Sequence, residues 1–200
     1  MPAFPILVLL ITGVGGLVVY EFDHTLLQFI QNNPKSQTAQ DLAEFLSAYG
    51  RLEWSTLFVS IILACCAFIF GERKKYLNLA KLCLLGGLLA GISVWPPKTI
   101  IGRERPRGEG EGEISFFKFN PQTDSVYFSL PSGHAASTMG TATAVFLAAP
   151  ISGTILISMS VLTGWSRIKM NEHWPSDVIA GWGLGVLSGF LVFKKFKKRI

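Results

Sequence analysis

Long apolar runs constrain this chain more than any other feature. Six stretches approach the ~20 residues that a helix needs to cross the hydrocarbon core of a bilayer: 3–20, 52–70, 77–97, 132–149, 151–166 and 176–193. Backbone in lipid has no water to bond, so such runs must satisfy their own amides as helices. Half of the 200 residues are hydrophobic and 16% are charged, against about a quarter charged in a soluble domain. The expected fold is therefore all-α: an integral membrane bundle of six transmembrane helices, built as a single domain over 1–200.

The fourth run, "SGHAASTMGTATAVFLAA", is only weakly apolar and rich in small residues. Small residues let helix backbones approach closely, which places this helix inside the bundle rather than against lipid. The first run lacks the basic start and small-residue cleavage site of a signal peptide, so it reads as a membrane helix. Cys65, Cys66 and Cys83 fall inside expected spans. Their spacing fits neither a zinc site nor a disulfide framework.

Between the first two runs, "TAQDLAEFLSAYG" places Leu42, Phe45, Leu46 and Tyr49 at helical spacing. A short amphipathic helix on the outer surface is expected, capped by Thr38 with Asp41 and ended by Gly50. His24 is given no role.

Six spans put both termini on one side. The basic stretches "ERKK" (72–75) and "KKFKKR" (194–199) place that side in the cytoplasm by the positive-inside rule. A count of basic residues opposes this weakly, with nine outside against eight inside. Several of the outer ones carry chemistry. The expected location is a bacterial inner membrane, with the 98–131 loop and the 166–175 stretch facing the periplasm.

Titratable groups are costly near a bilayer and are functional candidates there. Three clusters occur on the outer face. "KTIIGRERP" holds Lys98 and Arg105, "PSGH" holds Ser132, Gly133 and His134, and "SRIKMNEHWPSD" holds Arg167, His173 and Asp177. Arginine forks and a lysine point charge suit a tetrahedral oxyanion. Ser132 adds a hydroxyl donor, and Gly133 admits a ligand close to the backbone. Pro131 or Ser132 and Pro175 mark helix starts, and two helix N-termini aimed outward favour an anion. Together these make a phosphate site. Asp177, four residues beyond His173, is placed to accept a hydrogen bond from one ring nitrogen and aim the other at phosphorus. His134 is placed to protonate the leaving oxygen. Taken singly each residue has an ordinary structural reading; the whole set at one membrane face does not.

Lys-x6-Arg-Pro, Pro-Ser-Gly-His and Ser-Arg-x5-His-x3-Asp, across residues 98–177, resemble the three signature motifs of the type-2 phosphatidic acid phosphatase family. Every motif position is present. The resemblance implies a six-helix membrane phosphatase that works through a phosphohistidine. It implies that Lys98, Arg105, Ser132, Gly133 and Arg167 bind phosphate, with His173 as nucleophile, Asp177 as its partner and His134 as acid. It implies no metal and no other cofactor, and "GEGEGE" (108–113) reads as a loop rather than a cation site.

The expected substrates are lipid phosphates or diphosphates: phosphatidylglycerophosphate, undecaprenyl diphosphate, phosphatidic acid or a lipid A phosphate. The motifs do not choose among them; the groove between helices and the 107–130 loop do. Two other classes fit the same residues, a lipid phosphotransferase and a non-catalytic lipid-phosphate sensor. The expected partners are the bilayer and the lipid substrate, not nucleic acid, and the oligomeric state is left open.

Overall fold

The computed structural model describes residues 3–109, 111–117 and 125–197. The centre of the 107–130 loop and the end of the basic tail lie outside the described residues. Among the described residues the regular secondary structure is helical, apart from one isolated bridge between Arg103 and Ile114.

Helix α1 spans Ala3–Tyr20, α2 Asp23–Asn32 and α3 Gln37–Tyr49. A π-helical turn, Glu53–Phe58, leads into α4, Val59–Ile69. Helix α5 spans Arg73–Ser93, α6 Trp95–Ile101, α7 Gly133–Phe146, α8 Pro150–Lys169 and α9 Pro175–Phe196.

Among the described residues, three stretches are able by length and composition to cross a membrane: α1, α5 continued through α6, and α9. A fourth exists if α3 and the π-turn–α4 segment, bent by 68° against each other, count as one span. The remaining expected spans correspond to α7, which has 14 residues, and α8, which has 20. Two spans are also less regular than the sequence suggested. The 52–70 run opens with the π-turn, and the 77–97 run breaks at Val94, where Pro96 and Pro97 take the first turn of a new helix.

Helix α7 is the core of the bundle. It packs on α5, α8 and α9, and α1 covers the outside of α9. Every residue from Ala135 to Val145 is buried, as its small side chains predicted. Gly181, Gly185 and Gly189 form a ridge on α9 at four-residue spacing. A Cβ at these positions would lie 2.5–2.6 Å from the carbonyl oxygens of Ser132, Ala136 and Gly140 on α7. The polar side chains of α7 find partners within the bundle. Thr141 pairs with Thr56 at 3.1 Å and Thr138 with Ser160 at 2.8 Å, as buried hydroxyls require.

Helix α3 is amphipathic. Leu46 is buried while Leu42 and Phe45 point outward, and the helix lies on α8. Its cap is Ser36, whose Oγ accepts from the Ala39 amide at 3.2 Å, not the expected Thr38 with Asp41. The helix begins two residues earlier than the expected cap implies, and Asp41 instead accepts from Gln37 at 2.8 Å.

Candidate active site

The end of α6, the start of α7, the end of α8 and the start of α9 meet at one end of the bundle. All eight residues singled out in the three motifs lie there. Lys98 sits on α6, which Gly102 closes in a left-handed conformation, φ 52°. Its ammonium donates to the carbonyls of Phe128 at 2.6 Å and Ser129 at 3.5 Å. Ser132 caps α7, with Oγ accepting from the Ala135 amide at 3.5 Å, and Gly133 and His134 form the first turn. Arg167 lies in the last turn of α8. His173 and Asp177 flank the start of α9 at Pro175.

The cations converge on a carboxylate. Arg105 and Arg107 both pair with Glu172, the latter at 2.9 Å, and Arg167 lies 3.3 Å from it. Arg167 also donates to Ser47 on α3. Glu172 thus gives one oxygen, Oε2, to both guanidinium groups that the motifs assign to phosphate, and the other, Oε1, to Arg107. Lys98, Arg105, Gly133 and His134 line a common cavity of about 410 Å³, whose walls are otherwise mostly apolar.

His173 is buried, with 2% exposure. Burial holds its imidazole well below the usual histidine range, and the charges of Lys98, Arg105, Arg167 and His134 act in the same direction. The ring is therefore neutral at physiological pH, the form that carries a nucleophilic lone pair. The expected hydrogen bond to Asp177 is not formed. Nδ1 stands 3.7 Å from Asp177 Oδ2 and has no hydrogen-bond partner. The reason lies in Asp177 itself. Its Oδ2 accepts from Ser129 Oγ at 2.5 Å and from the Trp174 amide at 2.9 Å, and its Oδ1 accepts from Arg103 at 2.7 Å.

The chain resembles known proteins. A family model for the PAP2 superfamily matches residues 75–200. The chain belongs to the PAP2 superfamily. It is 32% identical over 195 residues to an undecaprenyl-diphosphatase from Sulfolobus acidocaldarius, covering 94% of this chain and 85% of the relative. It is 31% identical over 166 residues to a lipid A 1-phosphatase from Rhizobium etli, covering 73% of this chain and 66% of that one. The crystal structure of a transmembrane PAP2-type phosphatidylglycerolphosphate phosphatase from Bacillus subtilis superposes with a TM-score of 0.66 at 19% identity, over 98% of this chain and 96% of that one. That last likeness shows a shared fold.

Residues outside the three motifs reach Asp177 and its neighbour Ser176. Arg103, two residues before Arg105, is 3% exposed. It bridges Asp177 at 2.7 Å, Ser176 at 2.7 Å and Asp23 at 2.8 Å. Asp23, at the start of α2 and 1% exposed, also accepts from the Ser176 amide at 2.9 Å. It lies outside the residues that the family model matches. Sequence reasoning counted Arg103 only as a surface charge and gave Asp23 no role. Nothing local marks a pairing across 80 residues, although a charged residue next to a motif, in a chain so poor in charge, was a usable signal. Among the described residues, no group of three His, Cys, Asp or Glu side chains is placed to hold a metal ion.

Proposed function

We propose that this PAP2-family lipid phosphate phosphatase works through a phosphohistidine on His173, at the outer leaflet of a bacterial inner membrane. The observation that carries the reading is a buried His173, 3.7 Å from Asp177, whose imidazole burial and the charges of Lys98, Arg105 and Arg167 hold below the usual histidine range. Lys98, Arg105, Arg167, Ser132 and the Gly133 amide would hold the phosphate, which displaces Glu172 from the arginines. The His173 lone pair attacks phosphorus while the bond to the lipid oxygen breaks, and His134 gives its proton to that oxygen. His134 carries its proton into this step beside the negative charge of the bound phosphate. Neutral His134 then takes a proton from water, whose oxygen attacks phosphorus. The N–P bond breaks and inorganic phosphate leaves.

The positive charge that stabilises the transition state comes from side chains in this scheme, so the reaction proceeds without divalent metal. In this topology α7 and α8 cross the membrane with the other four, and the single domain turns its site end outward. The undecaprenyl-diphosphatase and lipid A 1-phosphatase relatives support a phosphate or diphosphate on a lipid as substrate. Rapid quenching of purified protein with a radiolabelled lipid phosphate tests the intermediate. An alkali-stable, acid-labile label on wild type that disappears in His173→Ala is expected, with turnover undiminished in EDTA. Turnover without any trapped label, or activity that EDTA abolishes and magnesium restores, would sink the scheme.

A further inference from the structure

One cation in the active-site cavity has no place in the phosphate clamp just described. Arg51 follows α3 directly, where the chain bends into the π-turn and α4. The preceding residue, Gly50, packs so closely on α7 that a Cβ there would lie 2.9 Å from Cδ2 of the His134 ring. Arg51 lines the same cavity as Lys98, Arg105, Gly133 and His134. Its backbone is pinned, because its carbonyl accepts from Ser55 Oγ at 3.0 Å and from the amides of Trp54 and Ser55.

Its side chain is different. Lys98 donates to two carbonyls and Arg105 is paired with Glu172. Arg51 is exposed, and its guanidinium makes no hydrogen bond or ion pair among the described residues. A free guanidinium at the mouth of a largely apolar cavity has a forked set of donors and nothing to receive them.

Its position relative to His134 indicates which ligand it would meet. His134 is the proposed acid, so its surroundings are where the leaving group stands. In a phosphomonoester that group is an ester oxygen on the lipid and brings no phosphoryl oxygens of its own. In a diphosphate it is a second phosphoryl group, whose anionic oxygens match an arginine fork. We propose that Arg51 forms a subsite for the second phosphoryl group of a lipid diphosphate, with the lipid chain leaving along Leu52, Leu88, Ile92 and Trp95 of the same cavity. This rests on the phosphohistidine reading of His173.

The chemistry follows. The His173 lone pair forms the N–P bond to the terminal phosphorus as the bond from that phosphorus to the bridging oxygen breaks. The electron pair leaves with the lipid monophosphate, and Arg51 stabilises the charge that develops there. Water then cleaves the N–P bond to release inorganic phosphate. A phosphate is a better leaving group than an alkoxide and depends less on a proton from His134. Diphosphate hydrolysis therefore leans on Arg51 and monoester hydrolysis on His134.

The test compares farnesyl diphosphate with farnesyl monophosphate, which share one chain, using purified full-length protein in detergent. In Arg51→Ala the ratio of kcat/KM for diphosphate over monophosphate should fall at least about tenfold, the scale of one lost charge-assisted contact. Arg51→Lys should retain most of it. An unchanged ratio would overturn the subsite. Phosphatidylglycerophosphate, whose second phosphate is a diester across a glycerol, forms a third arm; a loss there equal to that on the diphosphate would also overturn it. If wild type cleaves none of the three, binding judges the subsite instead, and the trapping experiment above judges the phosphohistidine. Inorganic pyrophosphate should raise the melting temperature of wild type more than phosphate does. Loss of that advantage in Arg51→Ala supports the subsite, and its persistence refutes it.

Discussion

At the scale of single residues, the two histidines separate by the bond each one serves. In the proposed scheme His173 bonds to phosphorus, so His173→Ala should be inactive on every substrate. In the first step, the one that kcat/KM reports, His134 serves the leaving oxygen, where general acid help is worth about 10²–10⁴-fold. His134→Ala should lose that much on a lipid phosphomonoester and far less on p-nitrophenyl phosphate, whose leaving group is a stable anion. Parallel kinetics on the two substrates check this, and equal losses would remove the acid role. Arg103 poses a different question, since it touches Asp177 rather than phosphate. Removing the cation from between two buried carboxylates should cost about 3–5 kcal/mol, so Arg103→Ala should melt far below wild type. Asp23→Asn is milder. It leaves Arg103 to pull on Asp177 alone and shifts the carboxylate beside His173. We expect kcat to fall by about an order of magnitude, since bonds to charged groups contribute about 1.5–3 kcal/mol, while KM holds. A change in KM alone would make Asp23 merely structural.

At the scale of elements, the join between α7 and α9 sets the geometry of the site. Asp177 and Ser132 belong to these two helices, and the Ser132 amide donates to the Asp177 carbonyl at 2.9 Å. Their close approach depends on the glycine ridge of α9. In Gly185→Ala the new Cβ would sit 2.6 Å from the Ala136 carbonyl oxygen, and backbone cannot yield as a side chain does. Overpacking of this kind costs about 1–3 kcal/mol. A lowered melting temperature in detergent is expected, with reduced activity because the start of α9 moves away from α7. Gly16→Ala on α1 meets nothing within 4 Å and serves as the control. Equal melting of the two variants would show that the ridge does not hold the helices together.

At the scale of the whole molecule, charge is divided between the two ends of the bundle. The chemistry gathers where α6 ends and α7 and α9 begin. Arg73, Lys74 and Lys75 start α5 at the opposite end, and Lys194 and Lys195 close α9 there. The proposed orientation places that basic end in the cytoplasm. In a cysteine-free background, Lys35→Cys should react with a membrane-impermeant maleimide in intact cells and Lys74→Cys should not. The reverse pattern would turn the active site to the cytoplasm and change the lipids within its reach.

The helical class, the buried α7 and the three motif clusters were all legible in the sequence, because each depends on local pattern. Apolar runs force helices in lipid, small residues in α7 permit close packing, and the helix starts at Ser132 and Pro175 are signalled by residue type. The Arg103–Asp23 bridge, the capture of Arg105, Arg107 and Arg167 by Glu172, and the open 3.7 Å gap between His173 and Asp177 were not legible. They are contacts between elements far apart in the chain, and sequence spacing carries no information about which distant charges meet. The tertiary structure decided them. Low-dielectric burial makes an unpaired charge expensive, so Asp177 takes the donors that packing brings to it, Arg103 first among them, and His173 is left waiting for its own.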